Sequence, residues 1–329
     1  MIRDLTMKLA VLILLTFSLF ASSENIKKDA YIENPSNSKK TVSLVLGSGG
    51  ARGYAHIGAI EEILKHGYKI KSIAGSSMGA LIGGLYAAGK LEEYKKWVLT
   101  LDAIEIVQLV DFTFAGGGIV NGDDIYGKIE RIIGDVKIED LPITYTAVAS
   151  DIDNRKEVWL QKGKLIDAIR ASVAIPTVLT PVMKNGNILV DGGVLNPLPI
   201  TPVLSDGSDL IIAVNLDANI PNRYIVTIPK ETKEQQNELY NEVSKLWDKA
   251  VEFVDTNRSV KKEIDIFTVF RKTLDATQSV LSEHAMEGNR PDIMIDIPRD
   301  ACEFYEFDRA YELIEIGKMA AKESLKNKE

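Results

Sequence analysis

One cysteine in 329 residues, Cys302, excludes an internal disulfide and any zinc site built on thiolates. Histidine is nearly as scarce. His56, His66 and His284 are the full set, which leaves an imidazole-based apparatus few places to sit. Positive charge is also short: 39 lysines and arginines face 47 aspartates and glutamates, a formal net charge of −8. No basic patch stands out beyond Lys27-Lys28 and Lys39-Lys40, which read as solvated linker, so nucleic acid is not the expected partner. Long apolar runs are missing except near the N-terminus, where Leu9 to Leu15 is unbroken and the run resumes through Phe17, Leu19 and Phe20. A spanning helix takes about 20 apolar residues. With Arg3 and Lys8 ahead and the small residues Ala21-Ser22-Ser23 behind, the stretch fits a cleaved export signal better. The expectation is a signal peptide over 1–23 and an exported protein, periplasmic or secreted. An uncleaved segment that retains the chain at the membrane is the alternative. Without 1–23 the net charge becomes −9, because Arg3 and Lys8 leave with Asp4.

What is present is ordinary globular composition, 45% hydrophobic and 26% charged, enough for a sizeable core. Residues 24–40 mix Ser, Asn, Lys and Pro without periodicity and read as a linker. The first strand is the apolar run Val42 to Leu46, which breaks into Gly47-Ser48-Gly49-Gly50-Ala51-Arg52-Gly53. A helix follows with Ile57, Ile60, Ile63 and Leu64 on one stripe and Glu61, Glu62 and Lys65 outside it. A second strand over Ile70 to Ala74 ends in Gly75-Ser76-Ser77-Met78-Gly79, and a helix rich in small residues begins there. This is a βαβ unit with both glycine-rich turns at the carboxyl ends of its strands, where open α/β sheets bind ligands.

Farther on, Leu91 to Leu101 has helical spacing, and 102–120 dissolves into a long loop with three consecutive glycines. Asn121 or Asp123 is expected to cap the next helix. Strands are expected over Ile143 to Ala149, paired with Glu157 to Leu160, and over Ile188 to Val190 and Leu210 to Leu216. Residues 218–290 are polar and helical in period, and read as an insertion or lid. Asp292 to Ile297 returns to strand, and Phe307, Ala310, Tyr311 and Ile314 mark a closing helix. The division is therefore a core over 41–217, an insertion over 218–290, and a returning strand and helix over 291–329.

The chemistry concentrates at two turns. Gly75-x-Ser77-x-Gly79 between strand and helix is the pattern that holds a serine hydroxyl on a sharp, strained turn where a neighbour can take its proton; the bland alternative is a turn that happens to contain serine. Ser76 reads as a residue bonding the turn backbone. The turn 47–53 fails as a dinucleotide fingerprint, since Arg52 occupies the third glycine's place, and it lacks the lysine of a P-loop. Two readings remain, a cradle of N–H groups for an oxyanion or a plain tight turn. For a base, the order Ser, Asp, His would require His284. A carboxylate acting directly is the other option, and Asp191, followed by Gly192-Gly193, suits it.

The segment 47–58, the elbow 75–79 and Asp191-Gly192-Gly193, in that order and with about 110 residues between serine and aspartate, together resemble the patatin-like phospholipases. The likeness continues through 170–176, Asn196-Pro197-Leu198-Pro199 and Arg290-Pro291-Asp292. It implies a three-layer α/β/α sandwich around a mostly parallel sheet. It also implies a Ser77–Asp191 dyad in which serine is acylated, with an oxyanion hole from Gly49, Gly50, Ala51 and Arg52, the last holding the turn. The implied reaction is hydrolysis of phospholipid or lysophospholipid esters at a membrane or micelle surface, with no metal and no cofactor. A triad esterase using His284 and a lipid-binding protein without catalysis are the rivals. The sequence departs from the family pattern at Ser48, where many members have glycine.

Overall fold

The computed structural model describes residues 40–101, 118–120, 122–228 and 266–326. The expected signal peptide and most of the expected linker, residues 102–117 of the expected loop, Asn121, the segment 229–265 and residues 327–329 lie outside the described residues. The first strand, β1 (Thr41–Leu46), leads through a 3-10 turn at Gly50–Tyr54 into α1 (Ala55–Lys65), β2 (Lys69–Ser76), α2 (Met78–Ala87) and α3 (Leu91–Thr100). After β3 (Gly118–Val120) come α4 (Asp123–Ile133), β4 (Thr144–Asp151), β5 (Lys156–Leu160) and α5 (Leu165–Ser172). Three short strands follow, β6 (Thr177–Leu179), β7 (Val182–Lys184) and β8 (Asn187–Asp191). The described chain finishes with β9 (Leu210–Ala218), α6 (Ile266–Gly288), β10 (Ile293–Pro298) and α7 (Ala310–Lys326).

Eight strands form one sheet in the order β10-β9-β1-β2-β4-β8-β7, with β5 also paired to β4. The pairs from β10 to β4 are parallel, whereas β5, β8 and β7 join antiparallel. The parallel part is made of strands buried on both faces, which is why they read as continuous apolar runs instead of alternating ones. On one face, Leu44, Leu46, Ile73, Ile212, Val214 and Ile295 pack with Ile57, Ile60 and Ile63 of α1, Leu85 of α2 and Leu313 of α7. On the other face, Val45, Ala74 and Ala213 meet Leu198, Ile200 and Val203, with Ala285 and Met286 of α6 against them. Each large side chain fully buried this way contributes about 1.5–3 kcal/mol. All ten residues of α2 are buried. A helix apolar all round belongs inside a layer, and Gly83 and Gly84 let α2 approach the sheet and α5.

Three local expectations need correction. The helix α4 is entered through Gly122 in the left-handed conformation at the cap position, with Asp123 already in its first turn. Glu62, read as outside the stripe of α1, is buried, with Lys65 Nζ 3.3 Å from its carboxylate. The end of the loop, 118–120, forms the short strand β3 beside β6. Among the described residues no helix is long and apolar enough to cross a membrane.

Candidate active site

Ser77 sits between β2 and α2 with φ 56° and ψ −125°. A positive φ is costly for any residue with a Cβ, about 1–3 kcal/mol, and such strain persists only where the surroundings enforce it. Here the enforcement is glycine on either side. A Cβ on Gly79 would lie 2.0 Å from the Leu46 carbonyl oxygen, and one on Gly75 would lie 2.4 Å from the backbone of Gly79. The elbow is tied down by Ser172 of α5, which accepts from the Ser77 N–H at 3.0 Å and donates to the Val148 carbonyl at 2.6 Å. Ser76 is the last residue of β2; its hydroxyl is buried without a partner, contrary to the expected backbone bond.

The strand β8, next to β4, delivers Asp191 to the same point. The Ser77 hydroxyl donates to Asp191 Oδ2 at 2.5 Å, and the Gly193 N–H donates to Oδ1 at 2.7 Å. Asp191 is 3% exposed. Burial pushes its carboxyl up to about 7, against the opposing pull of the bonds from Ser77 and Gly193.

The histidines are elsewhere. His284 is exposed on α6 and faces Glu287 across 3.0 Å. His66, at the end of α1, bonds the Glu62 carbonyl. His56 is fully buried, with Nε2 2.8 Å from the Gly47 carbonyl oxygen and Nδ1 unpartnered. Burial holds its ring down to about 4, so it is neutral at pH 7 and donates from Nε2. The residues that contact the Ser77 hydroxyl and the Asp191 carboxylate therefore include no imidazole.

The glycine turn lies beside the dyad. Gly50 adopts φ +55°, and a Cβ there would meet the Phe304 carbonyl oxygen at 2.5 Å, so glycine is required. Among the described residues no acceptor takes the N–H of Gly49 or Gly50. Ala51 differs. It was expected among the oxyanion donors, but its N–H donates to the Phe304 carbonyl at 2.8 Å and is spent on holding the turn. Arg52 braces the turn from below, its guanidinium donating to the carbonyls of Gly49 and Arg299 at 3.3 and 2.8 Å, with Asp217 3.6 Å away.

Between elbow and turn is a small cleft, part of it open to solvent. Its walls include Ser48, Ile175, Val178 and Phe304, together with Leu274, Asp275 and Gln278 of α6. None of these side chains was singled out as a wall from the sequence, nor was Ser172 as the elbow's anchor. Helical period placed α6 in the chain but gave no hint of what it faces.

The family profile described as patatin-like phospholipase matches residues 44–204. An uncharacterised NTE family protein of Mycobacterium tuberculosis is 37% identical over 334 aligned residues, covering 88% of this chain and 92% of its own. Lysophospholipase NTE1 of Meyerozyma guilliermondii is 33% identical over 198 residues, 57% of this chain but only 14% of that much longer protein. Among solved structures, VipD of Legionella pneumophila aligns over 88% of this chain and 67% of its own at 14% identity, with a TM-score of 0.43. The family match supports lipid ester hydrolysis.

Proposed function

This chain belongs to the patatin-like phospholipase family, and from that premise we propose that it cleaves carboxylic esters of phospholipids or lysophospholipids through Ser77 and Asp191. The observation that carries the reading is the direct 2.5 Å contact from the Ser77 hydroxyl to the buried Asp191 carboxylate. As Oγ attacks the ester carbonyl carbon, Asp191 takes its proton. The carbonyl oxygen gains charge and accepts from the N–H groups of Gly49 and Gly50, a contribution whose loss typically costs about 10²–10³ in kcat. Collapse of the tetrahedral species expels the alcohol, protonated by Asp191, and leaves an acyl ester on Ser77. Water, deprotonated by the same carboxylate, then attacks the acyl carbon, and as the fatty acid leaves, Asp191 returns the proton to Ser77 Oγ. A carboxyl raised to about 7 suits both directions of transfer at neutral pH better than an ordinary aspartate would.

The family match, over 44–204, falls inside the proposed core over 41–217. The insertion over 218–290 and the returning element over 291–329 supply α6, β10 and α7. Export, with a mature chain beginning near Glu24, is proposed from the N-terminal apolar run alone, and N-terminal sequencing from the expressing cell tests it; Met1 retained in a membrane fraction would favour the anchor.

The enzymatic reading is tested by mass spectrometry of products from mixed phospholipids and lysophospholipids, with Ser77→Ala as the comparison. Free fatty acid from the parent protein, and none above background from the variant, is the expected result. Equal release by both proteins would remove Ser77 from the mechanism.

A further inference from the structure

Ser48 lies in the glycine turn, and the structure gives its hydroxyl a partner. Its Oγ lies 3.4 Å from Gln278 Oε1 on α6, a residue outside the span matched by the family profile. Room for the pair is made by Gly193. A Cβ there would come within 2.7 Å of both the Ser48 hydroxyl oxygen and Gln278 Nε2. Both residues line the cleft that holds Ser77 and Asp191. A hydroxyl and a carboxamide joined by one long contact keep hydrogen-bonding capacity to spare, since the two together carry three N–H or O–H donors besides their acceptors.

An acyl chain against such a wall would leave polar groups unpaired, whereas the same cleft offers it Ile175, Val178, Leu274 and Phe304. The ester carbonyl is accounted for by the glycine turn. What remains of the substrate is its alcohol half. The cation among the described wall residues is Arg52, and its guanidinium is committed to Gly49, Arg299 and Asp217. That chemistry fits a neutral hydroxyl better than a phosphate.

Resting on the hydrolase reading above, we propose that Ser48 and Gln278 form a specificity subsite that reads a free hydroxyl on the alcohol half of the substrate, next to the scissile ester. A site built to bond a hydroxyl discriminates strongly against the analogue that lacks it, because its own polar groups are then left unpaired.

The test compares two esters of one fatty acid, the 1-monoester of glycerol and the propyl ester, in the full-length protein and in Ser48→Ala and Gln278→Met. The quantity read is the ratio of kcat/KM for the glycerol ester to that for the propyl ester. The parent should prefer the glycerol ester by about tenfold or more, and each variant should lower the ratio by about tenfold. A parent ratio near one overturns the subsite and leaves the hydrolase reading standing. So does a variant ratio within about twofold of the parent's, whether both rates fall together or neither does. Should Gln278→Met fail to fold, Ser48→Ala decides alone. A parent protein that cleaves neither ester nor any phospholipid overturns the hydrolase reading, and the subsite falls with it.

Discussion

Ser77 and Gln278 line the same cleft, yet they arrive there by different routes. The elbow is dictated by its immediate neighbours: β2 ends, glycines at 75 and 79 admit the close crossing, and the serine backbone has one strained conformation available. The α6 wall comes from far along the chain, Gln278 standing 230 residues beyond the Ser48 it touches. Local enforcement fixes what the chemistry needs for any ester, and the distant helix is free to vary which ester fits. Changes at the elbow should therefore abolish turnover on every substrate, while changes on α6 should alter selection.

The largest effects should come from the dyad. Ser77→Ala should end labelling by a serine-directed probe, and Asp191→Asn should lose about 10²–10⁴ in kcat, the usual range for a general base. A folded Asp191→Asn variant with more than a tenth of parental activity would overturn the assignment. Asp191 also sets the pH response. It must be ionised to act, so kcat/KM should climb through about pH 7 and level off above. For stability the sign reverses. The folded chain holds this proton more tightly than the unfolded chain, whose carboxyl has the ordinary value 3.8. Its stabilising contribution is therefore full below about 3.8 and lost as pH rises through about 7. Relative to the parent, Asp191→Asn should gain more in Tm at pH 8 than at pH 5, and thermal melts at the two values check it.

Next in size is the glycine turn. Gly50→Ala should cost about 10²–10³ in kcat through displacement of an oxyanion donor, and steady-state kinetics on a folded variant would show it. Ser172→Ala removes the acceptor that ties the elbow to α5. A loss of about tenfold in kcat is expected, with probe labelling slowed but complete, since a small misplacement of a reacting group is expensive. Smallest of all is His284→Gln, which should stay within about twofold of the parent. If it proved as inactive as Asp191→Asn, a triad would replace the dyad.

The sequence made the elbow legible because its constraints are short-range: strand, glycine, serine, glycine and helix are contiguous. The parallel strands were legible for the same reason, each being one apolar run. Asp191 could be singled out through the two glycines after it, though its partner is 114 residues away. What stayed hidden depends on tertiary contacts. Nothing near Ala51 shows that its N–H is consumed by the carbonyl of Phe304, and nothing near Glu62 shows that it is buried. Ser172 looks like any small residue ending a helix until the elbow packs against it. Gln278 lies in a polar stretch whose period suggests helix while leaving open which side meets the core.

The bond from Ala51 to Phe304 also ties the glycine turn to a segment far along the chain. The elbow, α5 and Asp191 all come from the chain up to residue 193, whereas the carbonyl that anchors the glycine turn, and the Arg299 carbonyl that anchors Arg52, belong to the segment after β10. Loosening that segment should therefore unbrace the turn while leaving the contact between Ser77 and Asp191 in place.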